Sequence, residues 1–464
     1  MIHALPGKHR FGNKPKTSYG QKQFNYIFIA LLVISSLGYC SAAFAQKQTD
    51  DKIFIKIDQL ASQIESKVIE WRRDIHQHPE LSNREVRTSA IVAEHLQKLG
   101  MEVKTGVAHT GVIGILRGGK QGPVVALRAD MDALPVTEET NVPFASKVRT
   151  TYDGQEVGVM HACGHDLHTS ILMGVAEVLT EIKEQLPGTI KFIFQPAEEG
   201  APAGEEGGAA LMIKEGALEN PKPAAMFALH VNSFLKVGTI GYKPGATMAS
   251  ADGLSIIVRG KQSHGAIPWA GADPIVTSAQ IILGLQTIIS RQTDIAKAPA
   301  IITIGKIQGG VRSNIIPGEV KMIGTIRALD TEMQNEIHER IKRTAEKIAE
   351  STGATADVTI SKGLPITYNN PALTERMRPT IERIVGKEGL ILSAPHTGSE
   401  DFAFFAEKVP GFYIFLGISP KDSDLSKAES LHSPRLVVDE GALVIGMRAM
   451  ASLAVEYLKG GTHP

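Results

Sequence analysis

The sequence predicts an α/β fold in which a mostly parallel sheet carries helices on both faces, with a ferredoxin-like α+β domain inserted into it. Three observations lead to this prediction. Short apolar runs typical of buried strands alternate with helical segments over the first half of the chain. A complete β-α-β-β-α-β order interrupts that alternation near Gly253. Carboxylate and imidazole side chains follow several of the buried strands.

The first 45 residues differ from the rest of the chain. Five basic residues and no acidic residue are found there, an apolar run covers residues 26–37, and Ala43-Phe44-Ala45 has the small-x-small pattern of a cleavage site. This order predicts a secretory signal peptide cleaved after Ala45, and therefore a periplasmic or secreted protein without a stable membrane anchor. An uncleaved anchor is the alternative, although the apolar run is shorter than the roughly 20 residues that span a bilayer.

Charge and cysteine content narrow the class of protein. Without the predicted leader the chain keeps 44 basic and 49 acidic residues, a net charge of −5. A mildly acidic surface argues against nucleic acid as a partner. Cys163 is then the one remaining cysteine, so the monomer forms no internal disulfide. Cys163 is therefore a buried apolar residue, a nucleophile or a metal ligand.

Apolar periodicity gives the elements of the catalytic sheet in order. Helices are expected at residues 53–76, at 84–99 with Gly100 as the stop, and at 167–182. Buried strands are expected at residues 124–128, 189–194, 224–229 and, after the insertion, 412–416.

The inserted segment has its own complete pattern. Its strands are expected at residues 254–258, 300–307, 319–327 and 356–360, and its helices at 274–291 and 332–349. The predicted organisation is a signal peptide (1–45), a first part of the catalytic domain (46–250), an inserted domain (251–362) and a second part of the catalytic domain (363–464).

Polar side chains follow four of the predicted strands. They are Asp130 and Asp132, Glu198 and Glu199, His230, and His432. In open α/β sheets, ligands bind beyond the carboxyl ends of the strands, so these groups are expected to converge at one edge. Two adjacent carboxylates after a buried strand fit a division of labour in which one binds a metal and the other accepts a proton from water.

A second group of donors precedes a predicted helix. Residues 160–168, Met-His-Ala-Cys-Gly-His-Asp-Leu-His, combine a thiol, imidazoles and a carboxylate, which are the ligands of transition metals. Three histidines and a cysteine on one turn favour metal binding over packing. The alternative is a Cys163 nucleophile with His165 as its base, which leaves the tandem Glu198 and Glu199 without a role.

Seven ordered motifs together resemble the aminoacylase, hippurate hydrolase and plant indole-acetyl-amino-acid hydrolase family of metallopeptidases. The resemblance extends from about Trp71 to about Leu453. The motifs are RRDIHQHPEL at 72–81, RADMDALP at 128–135, MHACGHD at 160–166, QPAEE at 195–199, SHGA at 263–266, SNIIP at 313–317 and SEDF at 399–402.

The resemblance implies a zinc-peptidase-like fold and a centre of two divalent ions per subunit, of Mn, Zn, Co or Ni. Cys163 would bridge the two ions. Glu198 would be the general base, and Asp132 would orient a ligand, His165 in particular. The implied metal ligands are Cys163, His165, Glu199, His230 and His432.

The resemblance also implies that the inserted domain is a lid and dimerisation domain, through which the protein forms a homodimer. His264 would act in the active site of the partner subunit, and Asn314 and Arg327 would hold a substrate carboxylate. The implied reaction is hydrolysis of the amide bond of an acetyl-, benzoyl- or indole-acetyl-type N-acyl amino acid. A dipeptidase or carboxypeptidase on the same metal centre is the second hypothesis, and a metal- or ligand-binding protein without catalysis is the third.

Overall fold

A computed structural model of the chain describes residues 52–460, so the predicted signal peptide and its cleavage site lie outside the described residues. The helices are α1 (residues 52–63), α2 (Glu65–Gln77), α3 (Val86–Lys98), α4 (His165–Glu181), α5 (Gly208–Lys214), α6 (Pro274–Thr287), α7 (Thr331–Ser351), α8 (Pro371–Gly389), α9 (Phe402–Ala406) and α10 (Ala442–Lys459).

The strands, in chain order, are β1 (Glu102–Val107), β2 (Gly111–Arg117), β3 (Lys120–Asp130), β4 (Arg149–Tyr152), β5 (Gln155–Gly158), β6 (Pro187–Gln195), β7 (Ala225–Lys236), β8 (Ile240–Tyr242), β9 (Gly245–Met248), β10 (Ala251–Arg259), β11 (Ser263–His264), β12 (Ala300–Gly309), β13 (Ile315–Ile316), β14 (Glu319–Ala328), β15 (Thr355–Leu364), β16 (Thr367–Asn369), β17 (Leu390–Leu392) and β18 (Gly411–Ser419).

The larger sheet has eight strands in the order β1-β2-β6-β3-β7-β18-β8-β17. Its centre, β6-β3-β7-β18, is parallel, and antiparallel pairs lie at its margins. All nine residues of β18 are buried, as expected for a strand covered on both faces. Helices α4 and α10 pack against one face, and α5 and α9 pack with the apolar cluster on the other. The predicted α/β class with a mostly parallel sheet is confirmed.

The second sheet has the order β12-β14-β10-β15 and is antiparallel throughout. Together with α6 and α7 it gives the β-α-β-β-α-β connectivity of a ferredoxin-like unit. Alternate residues of β10, Leu254, Ile256 and Val258, enter one apolar core with Ile337 and Ile341 of α7. Every second residue of β10 and one face of α7 are therefore buried in the same apolar core.

Several elements differ from the sequence prediction. The first predicted helix is interrupted at Ile64, and the predicted helix at 274–291 ends at Thr287 and continues as a π-helical turn, Ile288–Gln292. The β4–β5 hairpin and the short outer strands were not predicted, because their residues are largely exposed or follow no clear apolar alternation. In the described part of the chain, residues 52–460, no helix has the length and apolarity needed to cross a membrane.

Candidate active site

A strained turn delivers the tandem glutamates to the carboxyl edge of the sheet. Strand β6 ends at Gln195, and Ala197 then adopts a left-handed conformation with φ of 52°. The buried Glu85 carboxylate accepts a hydrogen bond from the Ala197 N–H at 2.9 Å and holds this turn. Backbone strain of this kind persists where the surroundings fix it, and here it places Glu198 and Glu199 beside the end of β3.

Asp132 organises the side chains around it. Its carboxylate accepts hydrogen bonds from the backbone N–H groups of Glu198 and Glu199, at 3.1 and 3.0 Å, and from the Ser82 hydroxyl at 2.7 Å. His165 Nδ1 lies 3.2 Å from the same carboxylate and 2.8 Å from the Asp132 carbonyl oxygen. One buried carboxylate therefore fixes both glutamates and one imidazole.

The buried imidazoles of His165 and His230 each turn Nδ1 toward a backbone carbonyl and Nε2 toward the other candidate ligands. His165 Nδ1 faces the Asp132 carbonyl, and His230 Nδ1 lies 2.8 Å from the Val231 carbonyl. Because a carbonyl oxygen only accepts, each Nδ1 carries the proton and each Nε2 keeps a lone pair. His165 Nε2 is buried and has no hydrogen-bond partner among the described residues. This is the tautomer that metal coordination through Nε2 requires.

Cys163 lies at the meeting point of two groups of possible ligands. Cys163, His165 and His230 form one group, and Cys163, Glu199 and His432 form the other, with the ligand atoms of each group within 4.8 Å of one another. The Sγ of Cys163 is 3.4 Å from His230 Nε2. Five of the sequence-predicted residues thus share one site whose common member is the thiol. Thiol, imidazole and carboxylate donors fit transition metals.

A tight turn allows this arrangement around Cys163. Gly164 has φ of 85°, and a Cβ on it would lie 2.4 Å from a methyl group of Val231, next to His230. Glycine is therefore required between Cys163 and His165. From the other side, the loop that carries His432 is fixed by a 2.8 Å hydrogen bond from its N–H to the Ala162 carbonyl.

The electrostatics of the site favour a bound cation. Burial, and then Glu199 and Glu198, raise the pKa of the Cys163 thiol well above its usual value, so a thiolate needs positive charge nearby. Burial alone would lower the pKa of His165, but the carboxylates of Asp130 and Asp132 raise it to about 10. A metal ion bound in place of that proton would be stabilised by the same carboxylates. The residues present therefore fit a divalent metal centre.

Within the histidine-rich segment, His168 has both ring nitrogens engaged by other protein groups. His168 Nδ1 lies 2.5 Å from Asp130 Oδ1, and its Nε2 accepts a hydrogen bond from the Val231 N–H at 2.9 Å. Both ring nitrogens are thus engaged, and His168 links β3 to β7 instead of binding metal. The proximity of Asp130, His165 and His168 therefore does not make a third ligand group.

Beneath Glu198 lies a buried ionic cluster that sequence analysis missed. Arg128 is fully buried and donates hydrogen bonds to Gln195, Asp130, Glu400 and Asp401 at 2.7–2.9 Å. Burial, then Glu400 and Glu199, raise the pKa of Glu198 well above its usual value. A carboxylate with a raised pKa is suited to accept a proton near neutral pH. The quoted motifs at 128–135 and 399–402 were the only signal for this cluster.

A cavity of about 430 Å³ opens over these side chains. Its walls include Phe234, Met248 and Phe415, and Arg327 from β14 of the second sheet. Arg327 donates a hydrogen bond to the neutral Ser399 hydroxyl at 3.1 Å, and within residues 52–460 it forms no ion pair. Of the two predicted carboxylate-binding residues, the structure places Arg327 at the site.

His264 and Asn314 lie together elsewhere. His264 is exposed on β11, which pairs with β13, and the Gly265 N–H donates to the Asn314 carbonyl at 2.9 Å. Neither residue lines the cavity over the metal ligands. His264 and Asn314, which the sequence assigns to the active site, thus lie together on the exposed β11–β13 pair. They are outside the active site of their own chain.

The fold and the ligand set define a hydrolase of the metallopeptidase class. The chain belongs to peptidase family M20/M25/M40, whose family model matches residues 126–456. It is accordingly a hydrolase that acts on amide bonds, which confirms the class of enzyme predicted from the motifs.

Named relatives match more than four fifths of the chain. Thermostable carboxypeptidase 2 of Saccharolobus solfataricus is 40% identical over 87% of this chain and 98% of its own. N-acetyl-L-cysteine deacetylase of Bacillus subtilis is 38% identical over 82% and 86%. IAA-amino acid hydrolase ILR1-like 2 of Arabidopsis thaliana is 36% identical over 86% and 90%.

A solved structure matches as well. The crystal structure of the Bacillus subtilis YXEP protein, described as a dinuclear metal-binding peptidase of the M20 family, has a TM-score of 0.72 and 36% identity. The match covers 86% of this chain and 99% of that one.

Proposed function

We propose that the protein is a two-metal amidohydrolase that cleaves N-acyl amino acids to a carboxylic acid and a free amino acid. The single observation that carries this proposal is the position of Cys163, which belongs to both ligand groups beside the buried Glu198. The similarity to an N-acetyl-L-cysteine deacetylase and to an IAA-amino acid hydrolase supports the substrate class.

The residues suggest how two ions would be held. Cys163 would bridge them as a thiolate, with His165 and His230 completing one side and Glu199 and His432 the other. When bound, the ions supply Lewis acidity that lowers the pKa of water toward neutrality. Manganese, zinc, cobalt and nickel all accept this mixture of thiolate, imidazole and carboxylate donors.

Glu198 performs the proton transfers in this proposal. It accepts a proton from the water whose oxygen bonds to the amide carbonyl carbon, and it then donates that proton to the leaving nitrogen as the C–N bond breaks. The side chain is only 8% exposed, which protects the transferred proton from bulk solvent. Its raised pKa suits both halves of this cycle.

Arg327 supplies the contact that defines an amino-acid substrate. Arg327 lines the same cavity as Glu198 and Glu199, and its hydrogen-bond partner among the described residues is the neutral Ser399 hydroxyl. A free carboxylate next to the scissile amide would bind it by charge-assisted hydrogen bonds. Asn314 is proposed to add a further contact to the same carboxylate from the partner subunit.

The proposal includes a homodimer and export. Strand β12 is an edge strand of the second sheet, and Ile301 and Ile307 on it are exposed, which fits pairing with a second copy. Such pairing would carry His264 to the neighbouring site. The basic leader and the Ala43-Phe44-Ala45 sequence support export to the periplasm or medium.

A carboxypeptidase is the second candidate, favoured by the relative of that name in Saccharolobus solfataricus. Both activities need the metal ligands, Glu198 and Arg327, and they differ in whether the group on the nitrogen is a simple acyl group or a peptide. The test is turnover of acetyl-, benzoyl- and indole-acetyl-amino acids, of dipeptides, and of the matching amino-acid amides, with each divalent metal. We expect hydrolysis of the N-acyl amino acids and little of the amides. Turnover confined to peptides would favour the carboxypeptidase.

A further inference from the structure

We infer that the substrate straddles Glu199, with its amino-acid part in the cavity that contains Arg327 and its acyl group in a second cavity on the other side. This inference rests on the proposed function. The second cavity measures about 560 Å³, and Glu199 lines both cavities. We call them the arginine cavity and the acyl cavity.

Charge decides which end of the substrate enters the arginine cavity. In the described part of the chain, Arg327 has the Ser399 hydroxyl as its hydrogen-bond partner and no ion pair, so it can bind a substrate carboxylate. The acyl cavity also has an arginine, Arg84, but both oxygens of Glu205 bind its guanidinium at 2.6 and 3.1 Å. A substrate carboxylate therefore gains more at Arg327 than at Arg84.

The geometry of the substrate then indicates where its acyl group lies. In an N-acyl amino acid the acyl group and the carboxylate leave the amide in opposite directions, so a substrate with its amide at the metal ligands continues past Glu199. The acyl cavity begins there. Ala133, which follows Asp132, and Ser82, which donates to the Asp132 carboxylate at 2.7 Å, both line it. The bottom of the acyl cavity is thus formed by residues next to those that position the candidate metal ligands.

The walls of the acyl cavity indicate what it accepts. Apolar side chains cover much of it, from Leu81, Leu134, Pro135, Pro202 and Ala203, and the β4–β5 hairpin forms the rim with Thr151 and Tyr152. The volume lies within the range of sites for whole small-molecule ligands and is much larger than an acetyl group requires. The acyl group is therefore one of aromatic-ring size, such as benzoyl or indole-acetyl.

The arginine cavity sets a separate preference for the amino acid. Residues 230–234 of β7 line it, and Phe234 among them is half exposed. With Met248 and Phe415 it offers an apolar surface to the amino-acid side chain. The preference for the acyl group and the preference for the amino acid therefore depend on different segments of the chain. Each can be changed without changing the other.

Substitutions in the two cavities test the division. Thr151→Trp and Ala203→Trp narrow the acyl cavity from two different walls, and both residues are exposed, so neither variant disturbs the core. Phe234→Ala is the matched change in the arginine cavity. We would measure kcat/KM for benzoyl against acetyl on one amino acid, and for phenylalanine against alanine under one acyl group, with melting temperatures as the folding control.

We expect each tryptophan variant to lower the benzoyl-to-acetyl ratio at least about tenfold and to leave the phenylalanine-to-alanine ratio unchanged. Phe234→Ala should do the reverse. An acyl ratio that neither tryptophan variant moves, or that Phe234→Ala moves instead, would overturn the division. Absence of turnover of all N-acyl amino acids by the wild type would overturn the proposed function and this inference with it.

Discussion

Replacing Glu198 with glutamine removes the proposed base and changes little else. Glutamine keeps the volume and an oxygen that can accept the 3.5 Å contact from the Asp401 N–H, and the bond to Asp132 is made by the backbone. The expected loss is that of a general base, a hundred- to ten-thousandfold in kcat. This corresponds to about 2.7–5.4 kcal/mol of transition-state stabilisation.

The assay combines turnover with metal analysis of the purified variant. Metal content should stay at the wild-type level, because Glu198 is in neither of the two groups that share Cys163. Glu206→Gln is the matched control, since Glu206 is an exposed carboxylate paired with Lys214 outside the site, and it should keep nearly full activity. Near-normal turnover of Glu198→Gln, or activity lost only in proportion to lost metal, would refute the reasoning.

The same substitution has a pH-dependent effect on stability. Burial and the neighbouring Glu400 and Glu199 raise the folded-state pKa of Glu198 above its unfolded value. Its contribution to stability is therefore full below the unfolded pKa, about 4.3, and is lost as pH rises through the folded pKa. Metal-free Glu198→Gln should need more urea to unfold than the metal-free wild type at about pH 7, with the difference closing toward about pH 4. A less stable glutamine variant at neutral pH would contradict this.

The remaining predictions concern Cys163, the dimer and export. Alkylation of Cys163 should be slow in the metal-loaded enzyme and faster after chelation, and equal rates would count against ligation. Mixing inactive His264→Ala with inactive Glu198→Gln should restore part of the activity if His264 acts across a dimer, because one site of each heterodimer keeps both residues; verified heterodimers without activity would argue against this. N-terminal sequencing of protein from the periplasm or medium should begin at Gln46, and an intact leader would argue against cleavage after Ala45.

The site was largely predictable because its polar residues follow strongly apolar strands. Glu198, Glu199 and His230 each come directly after a run that only a buried strand explains, and the structure brings them together with Cys163 and His432. The inserted unit was predictable for a similar reason. Buried residues recur with helical spacing in α7 and at every second position in β10. These patterns identify α7 as a helix and β10 as a strand.

Features built from long-range charge pairing were not predictable. Arg128 and Glu400 are 272 residues apart in sequence and meet only through the fold, so a buried arginine in a strand gives no local signal of its partners. The acyl cavity was missed because its walls come from three separate loops and a largely exposed hairpin. The contacts of His168 with Asp130 and Val231 were also not predictable, because they join residues that lie far apart in the sequence.

The most direct test of the central claim is a metal titration of the chelated protein, followed by hydrolysis of an N-acyl amino acid in the same samples. The account predicts that activity returns as metal binds, is complete at two ions per chain, and fails to return in Glu198→Gln although the ions bind. Full hydrolysis by metal-free protein, or two bound ions in the wild type without hydrolysis of any N-acyl amino acid, would contradict it.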